Sequence, residues 1–114
     1  MTYETIKFDI TNDIATLTLN RPDMINGLNS TIRREILDAV IAAGRTARVL
    51  VITGAGKGFC SGQDLTDVSS LENLDLDAVL RDEYVPMLNA IYDCPIPTIA
   101  AVNGYCLGGA ACIA

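Results

Sequence analysis

The sequence contains no histidine, and its 8 Lys and Arg residues are outnumbered by 14 Asp and Glu residues. The lack of histidine excludes a histidine-based catalytic triad, a histidine general base and histidine metal ligands within these 114 residues. The formal net charge of −6 argues against a nucleic-acid-binding face, because such a face needs clustered basic residues. Half of the residues are hydrophobic, so the chain can bury the core of one domain.

Cysteine occurs four times, at Cys60, Cys94, Cys106 and Cys112, but never as a Cys-x-x-Cys pair. Without that spacing and without histidine, the sequence lacks the pattern of a zinc site. It begins with a polar, alternating stretch rather than the charged and apolar regions of a secretory signal. We therefore expect reduced, buried cysteines in a cytoplasmic protein.

Hydrophobic alternation predicts a hairpin at the start of the chain. Residues 3–10 and 14–19 form its strands, and residues 11–13 form the turn. A helix should follow, with Ser30 as its N-cap and Gly44 as its stop. The apolar face of this helix consists of Ile32, Ile36, Val40 and Ala43.

Two continuous apolar runs, 49–53 and 98–102, predict strands that are buried on both faces. Between them the sequence predicts a glycine-rich loop at 54–62, a mobile acidic connection at 64–77 and a helix at 78–93, which Pro86 kinks or restarts. Strands that alternate with helices in this way indicate an α/β protein in which a helix connects parallel strands.

The apolar stretch 95–114 contains two prolines, Asn103 and three glycines, which favours a buried strand and helix over a membrane span. Its last residues, 110–114, are apolar and helix-compatible but have no capping residue. Because a domain rarely stops inside such a segment, we expect residues 1–114 to be the front part of a longer domain, truncated within a helix. A short protein whose end is covered by a partner subunit is the alternative.

Two glycine-containing segments follow the two apolar strands and are candidates for a ligand site. They are residues 59–64 and residues 103–110. In layered α/β proteins ligands collect at the carboxyl ends of strands, where two converging backbone N–H groups can form an oxyanion hole. Spacing alone does not distinguish an oxyanion hole from glycines that only allow tight turns and close packing. Segment 54–58 lacks the spacing of a nucleotide-binding loop, so we interpret it as a turn, although Lys57 could contact a ligand phosphate.

Four motifs along the chain resemble those of the enoyl-CoA hydratase/isomerase (crotonase) family. They are Asn-Arg-Pro at 20–22, Asn-Gly-Leu-Asn at 26–29, Phe-Cys-Ser-Gly-Gln-Asp-Leu at 59–65, and Asn-Gly at 103–104 with Gly-Gly at 108–109. The third motif, together with Tyr84-Val85-Pro86, is similar to the branch that isomerises ring-epoxide phenylacetyl-CoA intermediates. The resemblance implies an α/β, crotonase-like spiral of β-β-α units, and a homotrimer or dimer of trimers for the full-length protein.

The resemblance also implies a site for an acyl-CoA thioester. Matched by position, the backbone N–H groups of Gln63 and Gly109 would form an oxyanion hole that stabilises an enolate made by proton loss at the α-carbon. The substrate-binding residues would be Asn26, Gly27, Phe59, Cys60, Ser61, Gly62, Asp64 and Gly108. No metal and no organic cofactor is implied, since coenzyme A belongs to the substrate, and neither nucleic acid nor a membrane is an expected partner.

Cys112 stands where hydratases of the family have a glutamate on the first turn of a helix. Because a thiol hydrogen-bonds weakly, it cannot simply replace a carboxylate that positions water, so we expect isomerisation rather than hydration. We expect Cys112 to be a small buried residue rather than a nucleophile. The family's second acidic residue would come from beyond residue 114, so a non-catalytic fragment or subunit that binds CoA esters is the alternative function.

The acidic residues of the chain are predicted to be structural or solvated. We interpret Asp64 as a carboxylate that caps or holds a loop, not as the general base. The predicted solvated acidic face consists of Asp67, Glu72, Asp75, Asp77, Asp82 and Glu83.

Overall fold

The computed structural model describes residues 2–64 and 76–114, apart from the side chains of Leu76 and Cys112. Most of the predicted mobile connection, including Asp67, Glu72 and Asp75, lies outside the described residues. The predicted burial of the Cys112 side chain lies outside them as well.

The chain begins with the predicted hairpin, formed by the antiparallel strands β1 (Ile6–Thr11) and β2 (Ile14–Leu19). The first strand starts at Ile6 rather than at residue 3. Both turn residues adopt the left-handed conformation, with φ of 53° at Asn12 and 67° at Asp13. Asn and Asp tolerate this conformation better than most residues with a side chain, so the sequence favours the tight two-residue turn.

Helix α1 (Ser30–Thr46) follows, and its ends differ from the prediction. Asn29 is the N-cap instead of Ser30, and its side chain accepts a hydrogen bond from the backbone N–H of Ile32. The helix continues past Gly44, since a glycine inside a helix costs only about 1 kcal/mol. A Cβ built on Gly44 would lie 3.0 Å from Pro95 Cδ, so this glycine permits close packing and does not end the helix. The predicted apolar face of α1 is buried in full.

The strands form two sheets. The first has the order β1-β2-β3-β5, with β3 at Val49–Gly54 and β5 at Thr98–Ala100. The pairs β2–β3 and β3–β5 are parallel, which confirms the predicted connection of parallel strands through a helix. The second sheet pairs β4 (Gly58–Cys60) in parallel with β6 (Tyr105–Cys106). Strand β4 therefore lies within the segment predicted to be a glycine-rich loop.

The core lies between α1 and one face of the first sheet. Its strand residues, each at most 2% exposed, are Ala15, Leu17, Leu19, Leu50 and Ile52. The prediction that both apolar runs are buried on both faces is wrong. Val49 and Val51 are half-buried, and Ile99 of β5 is 52% exposed. The described residues cover the second face of this sheet less fully, and β5 is its edge strand.

The second half of the chain begins with a continuous helical stretch. It consists of α2 (Leu76–Val79), a π-helical turn (Leu80–Tyr84) and α3 (Val85–Tyr92), which packs against α1. Pro86 lies in the first turn of α3, directly after the π-helical turn. Because proline cannot donate the backbone hydrogen bond of a regular helix, the pattern changes from π to α at this point, where the sequence predicts a kink or a restart, while the helical stretch itself continues. A last turn, α4 (Ala110–Ile113), follows β6. None of the helices in the described ranges has the length and apolar character that crossing a bilayer requires.

Two polar side chains of α1 hold the N-terminal residues. Glu35 is 5% exposed, and its carboxylate accepts hydrogen bonds from the backbone N–H groups of Glu4 and Thr5 and from the Thr5 hydroxyl. Burial alone would raise the pKa of Glu35, but these hydrogen bonds outweigh burial and lower it. The Tyr3 hydroxyl donates to the Asp38 carboxylate at 2.6 Å, and burial together with that carboxylate raises the pKa of Tyr3 to about 12.

Candidate functional site

Two turns lie side by side at the carboxyl ends of β4 and β6, two short strands that the sequence did not predict, rather than directly after the apolar strands β3 and β5. The two strands are parallel, and the Leu107 N–H donates to the Cys60 carbonyl oxygen at 3.1 Å. Each turn contains a glycine in the left-handed region, with φ of 92° at Gly62 and 57° at Gly108. We define the candidate site as the surface where these turns meet, formed by Ser61, Gln63, Gly108 and Gly109.

The first turn is in direct contact with the second at Gly62. A Cβ built on Gly62 would lie 2.8 Å from the Leu107 carbonyl oxygen and 3.5 Å from the Gly109 nitrogen. Its φ of 92° also disfavours any residue with a side chain. Glycine at this position therefore allows the backbone of one turn to approach the nitrogen that begins the other.

The backbone on either side of Gln63 is held by Leu28. The Leu28 N–H donates to the Gly62 carbonyl oxygen at 2.7 Å, and the Asp64 N–H donates to the Leu28 carbonyl oxygen at 2.9 Å. Because backbone groups alternate in direction along an extended chain, the N–H of Gln63 points away from Leu28. The bridge between Leu28 and Gln63 thus sets the direction of the first predicted donor.

Gly109 supplies the second predicted donor at the start of α4. The residue is exposed, and its φ of −60° is helical. The next two N–H groups donate to the carbonyl oxygens of Leu107 and Gly108, whereas no described residue accepts a hydrogen bond from the N–H of Gly109. An exposed N–H at the start of a helical turn can donate to a ligand oxygen.

The predicted substrate-binding residues differ in their exposure to solvent. Ser61 is half-buried and Gly108 is exposed, while the others are buried, namely Asn26, Gly27, Phe59, Cys60, Gly62 and Asp64. The Asn26 side chain donates to the carbonyl oxygens of Ala55, Gly58 and Phe59, each at 3.1 Å. It therefore ties the loop before α1 to β4. We expect the buried residues to shape the site through the backbone that they hold.

Cys60 and Asp64 are both engaged within the protein. The Cys60 thiol donates to the Asn26 carbonyl oxygen at 3.1 Å, and burial raises the pKa of this thiol, which disfavours a nucleophilic thiolate. Asp64 is 5% exposed and forms an ion pair with Arg21 at 2.9 Å. This ion pair fits the interpretation of Asp64 as a structural carboxylate.

A buried arginine, which the sequence analysis missed, lies behind Gln63. Arg33 of α1 is 1% exposed, and its guanidinium donates to Gln63 Oε1 and to the Leu28 carbonyl oxygen, each at 3.0 Å. It pairs with Glu83 at 2.9 Å and lies 4.7 Å from the centre of the Tyr84 ring. Position 33 borders the apolar face of α1, and no sequence signal separates it from a solvated arginine.

Tyr84 bonds to this arginine and to Gln63, and it lies near Gly109 of the second turn. Its hydroxyl donates to Gln63 Oε1, and its ring edge lies 3.9 Å from a Cβ built on Gly109. We refer to Arg33, Gln63, Glu83 and Tyr84 as the arginine cluster. The sequence feature closest to this finding is the Tyr84-Val85-Pro86 segment. It contributed to the family resemblance, but no role was predicted for it.

The prediction of a solvated acidic face is wrong for Glu83. Its carboxylate accepts hydrogen bonds from the Ser30 hydroxyl at 2.8 Å and from Arg33 Nε at 3.0 Å. The π-helical turn packs against α1, where the buried guanidinium requires a counter-charge. Asp77 and Asp82 are exposed, as predicted.

Comparison with known proteins gives a consistent result. The model of the enoyl-CoA hydratase/isomerase family matches residues 9–114. A probable enoyl-CoA hydratase of Rhodobacter capsulatus is 48% identical over 114 residues, which are 100% of this chain and 44% of that protein. The 1,2-epoxyphenylacetyl-CoA isomerase of Escherichia coli is 35% identical over 116 residues, covering 97% of this chain and 44% of that protein.

A solved structure is similar in three dimensions as well. The crystal structure of an enoyl-CoA hydratase/isomerase from Xanthobacter autotrophicus Py2 superposes with a TM-score of 0.89 at 35% identity. The match covers 98% of this chain and 43% of that structure. The chain therefore spans less than half the length of these two relatives and of this solved structure.

Proposed function

The chain belongs to the enoyl-CoA hydratase/isomerase family and has its crotonase-like α/β fold, and on this basis we propose that it binds an acyl-CoA thioester at the candidate site. The thioester carbonyl oxygen would accept hydrogen bonds from the N–H groups of Gln63 and Gly109. Transfer of a proton from the α-carbon to the family's second acidic residue would leave an enolate whose oxygen these donors stabilise. Return of a proton to the γ-carbon would then move the double bond. The proposed activity is isomerisation of an unsaturated acyl-CoA through that enolate.

The observation that carries this proposal is the meeting of the two turns. Gly62 lies against the nitrogen of Gly109, and the N–H of Gly109 has no acceptor among the described residues. The bridge to Leu28 directs the N–H of Gln63 away from Leu28. Donors held by folded backbone need little reorganisation as charge develops, and each is typically worth about 3 kcal/mol of transition-state stabilisation.

We prefer isomerisation to hydration because of the residue at position 112. A thiol there cannot take over the water-positioning role of a carboxylate. The named relatives include both a hydratase and an isomerase, so the comparison with them supports the acyl-CoA substrate class rather than one reaction. Asp64 is not the proton acceptor in this proposal, because Arg21 pairs with its carboxylate. Neither a metal nor an organic cofactor has a step in it.

Isotope labelling separates the candidate reactions. The purified protein is incubated with a 3-enoyl-CoA and, separately, a 2-enoyl-CoA in water enriched in deuterium and heavy oxygen, and the products are analysed by mass spectrometry. An isomerase moves the double bond and incorporates carbon-bound deuterium without heavy oxygen. A hydratase converts the 2-enoyl ester to a hydroxyacyl-CoA that carries heavy oxygen.

Binding is measured on the same sample. Tight binding of both esters with neither product would favour the alternative function, a non-catalytic chain that binds CoA esters. Absence of binding to either ester would refute the proposed function altogether.

Assembly is a second part of the proposal. By its family resemblance, we expect the full-length protein to form a homotrimer or a dimer of trimers. Light scattering coupled to size-exclusion chromatography measures the mass directly, and a monomer at micromolar concentration would contradict this expectation.

A further inference from the structure

The side chain of Gln63 is bonded through both ends of its amide. Its Oε1 accepts hydrogen bonds from Arg33 at 3.0 Å and from the Tyr84 hydroxyl, and its Nε2 donates to the Asp64 carbonyl oxygen at 3.0 Å. An amide held in this way restricts the backbone of its own residue. The Gln63 side chain is therefore part of what orients the Gln63 N–H.

Tyr84 is itself fixed by the residues around it. The Arg33 guanidinium lies 4.7 Å from the ring centre and donates to the Tyr84 hydroxyl oxygen at 3.3 Å. Glu83 neutralises that guanidinium, which is 1% exposed and would otherwise be a costly buried charge. A ring held by a cation over its face and a hydrogen bond at its hydroxyl has little freedom to move.

The position of Tyr84 relates the two turns to each other. Its hydroxyl contacts the side chain of Gln63, and its ring edge lies 3.9 Å from a Cβ built on Gly109. One side chain thus bonds to Gln63 and lies beside Gly109, the two residues whose N–H groups are the proposed donors.

We propose that Tyr84 is a positioning residue that sets the separation and direction of the Gln63 and Gly109 N–H groups. This inference rests on the proposed function, because it assigns Tyr84 a role only if these groups bind a thioester oxygen. Two donors at the correct separation gain most when the bound oxygen carries charge. Tyr84 therefore acts on the binding of an enolate more than on the binding of a neutral thioester.

The test compares two CoA esters in the unmodified protein and in Tyr84→Phe. Acetoacetyl-CoA ionises to an enolate whose near-ultraviolet absorbance reports the bound form, and butyryl-CoA presents a neutral carbonyl. The substitution keeps the ring and removes the hydroxyl. We expect the ratio of enolate affinity to butyryl-CoA affinity to fall about threefold to tenfold, the usual range for one net hydrogen bond, while butyryl-CoA affinity changes less than twofold.

Tyr92→Phe is the matched control, because Tyr92 lies in the same helical stretch and is 89% exposed. It should leave both affinities unchanged. Gln63→Met removes the acceptor of the Tyr84 hydroxyl while keeping the backbone N–H. Because Gln63→Met also removes the hydrogen bonds of Gln63 with Arg33 and Asp64, it should lose at least as much as Tyr84→Phe, and the double variant should lose little more than Gln63→Met alone. Thermal unfolding of each variant confirms that it is folded.

The outcomes separate the inference from the proposed function. If the unmodified protein binds neither ester, both are overturned. If it prefers the enolate and Tyr84→Phe keeps that preference within twofold, the inference is overturned while the proposed function stands. The inference is also overturned if Tyr84→Phe weakens the binding of both esters equally, because a purely structural role predicts that result.

Discussion

Replacement of Gly109 by proline removes one backbone N–H group and puts the ring Cδ in the place of its hydrogen. The Gly109 φ of −60° lies within the range that the proline ring imposes. No described residue accepts a hydrogen bond from this N–H, so no recorded internal bond is lost. The new Cβ would lie 3.9 Å from the Tyr84 ring edge, an ordinary contact distance. Because crowding by the ring Cδ weakens the binding of both ligands, loss of the second proposed donor is measured by the ratio of enolate affinity to butyryl-CoA affinity.

The expected loss follows from the worth of one such donor. A backbone donor of this kind contributes about 3 kcal/mol when it faces a developing negative charge. Since each 1.4 kcal/mol is roughly a tenfold change in affinity, enolate binding should weaken about a hundredfold. Affinity for butyryl-CoA should fall less, because a neutral carbonyl gains less from the donor and is weakened mainly by crowding against the ring Cδ. Titration of acetoacetyl-CoA over a range of pH, followed by enolate absorbance, measures the first affinity, and competition by butyryl-CoA measures the second.

Gly109→Ala is the control for this experiment. It adds the same Cβ at the same φ but keeps the N–H, so it should retain the preference for the enolate within about threefold. If Gly109→Pro folds normally and also retains that preference, Gly109 is not a donor and the reasoning fails. If alanine and proline lose the preference equally, the cause is crowding against Tyr84 rather than loss of the N–H.

Three further predictions concern stability. Gly62→Ala should lower the free energy of unfolding by about 3 kcal/mol or more, measured by urea denaturation, because of its positive φ and a contact of 2.8 Å with Leu107. Glu35 has a lowered pKa in the folded state, so its stabilisation is full above its ordinary pKa of 4.5 and is lost as the pH falls further. Glu35→Gln should therefore flatten the acid side of a stability profile. Tyr3 has a pKa raised from 10.0 to about 12, so its stabilisation is full below pH 10 and is lost as the pH rises through about 12. Tyr3→Phe should flatten the alkaline side of the same profile.

Each of these predictions has a result that contradicts it. Gly108→Ala is the comparison for Gly62, because its φ of 57° is strained but the nearest recorded atom is 3.9 Å from the new Cβ. Equal costs at both glycines would show that the Leu107 contact is unimportant. An unchanged acid profile in Glu35→Gln, or an unchanged alkaline profile in Tyr3→Phe, would mean that the cited hydrogen bonds do not persist in solution.

Local features of the fold were predictable because neighbouring residues encode them. The left-handed preference of Asn12 and Asp13 specifies the hairpin turn, and the spacing from Ile32 to Ala43 specifies the buried face of α1. The end of α1 was not predictable from Gly44. The role of Gly44 depends on Pro95, which lies about 50 residues away in the sequence. Pro95 packs so closely against the helix that a side chain at position 44 would be crowded.

The candidate site was likewise predictable only in part. Glycines at 62, 108 and 109 mark turns after strands, so the sequence alone located the two segments. Their meeting depends on parallel pairing of β4 with β6, and β4 itself lies in a segment whose glycines predict a loop. A short strand of three residues leaves too weak a pattern to detect.

By itself, the sequence determined the α/β class, the order of its main elements, the family resemblance and the residues of the two turns. The tertiary structure alone decided how far each strand is buried and which polar side chains lie inside. Glu83 and Arg33 show the physical reason. Both are charged residues of the kind that usually lies on a solvated surface, yet packing of the π-helical turn against α1 makes them an ion pair. Residues 50 positions apart come together only when the chain folds. The pattern of residues that are neighbours in the sequence therefore does not predict their contact.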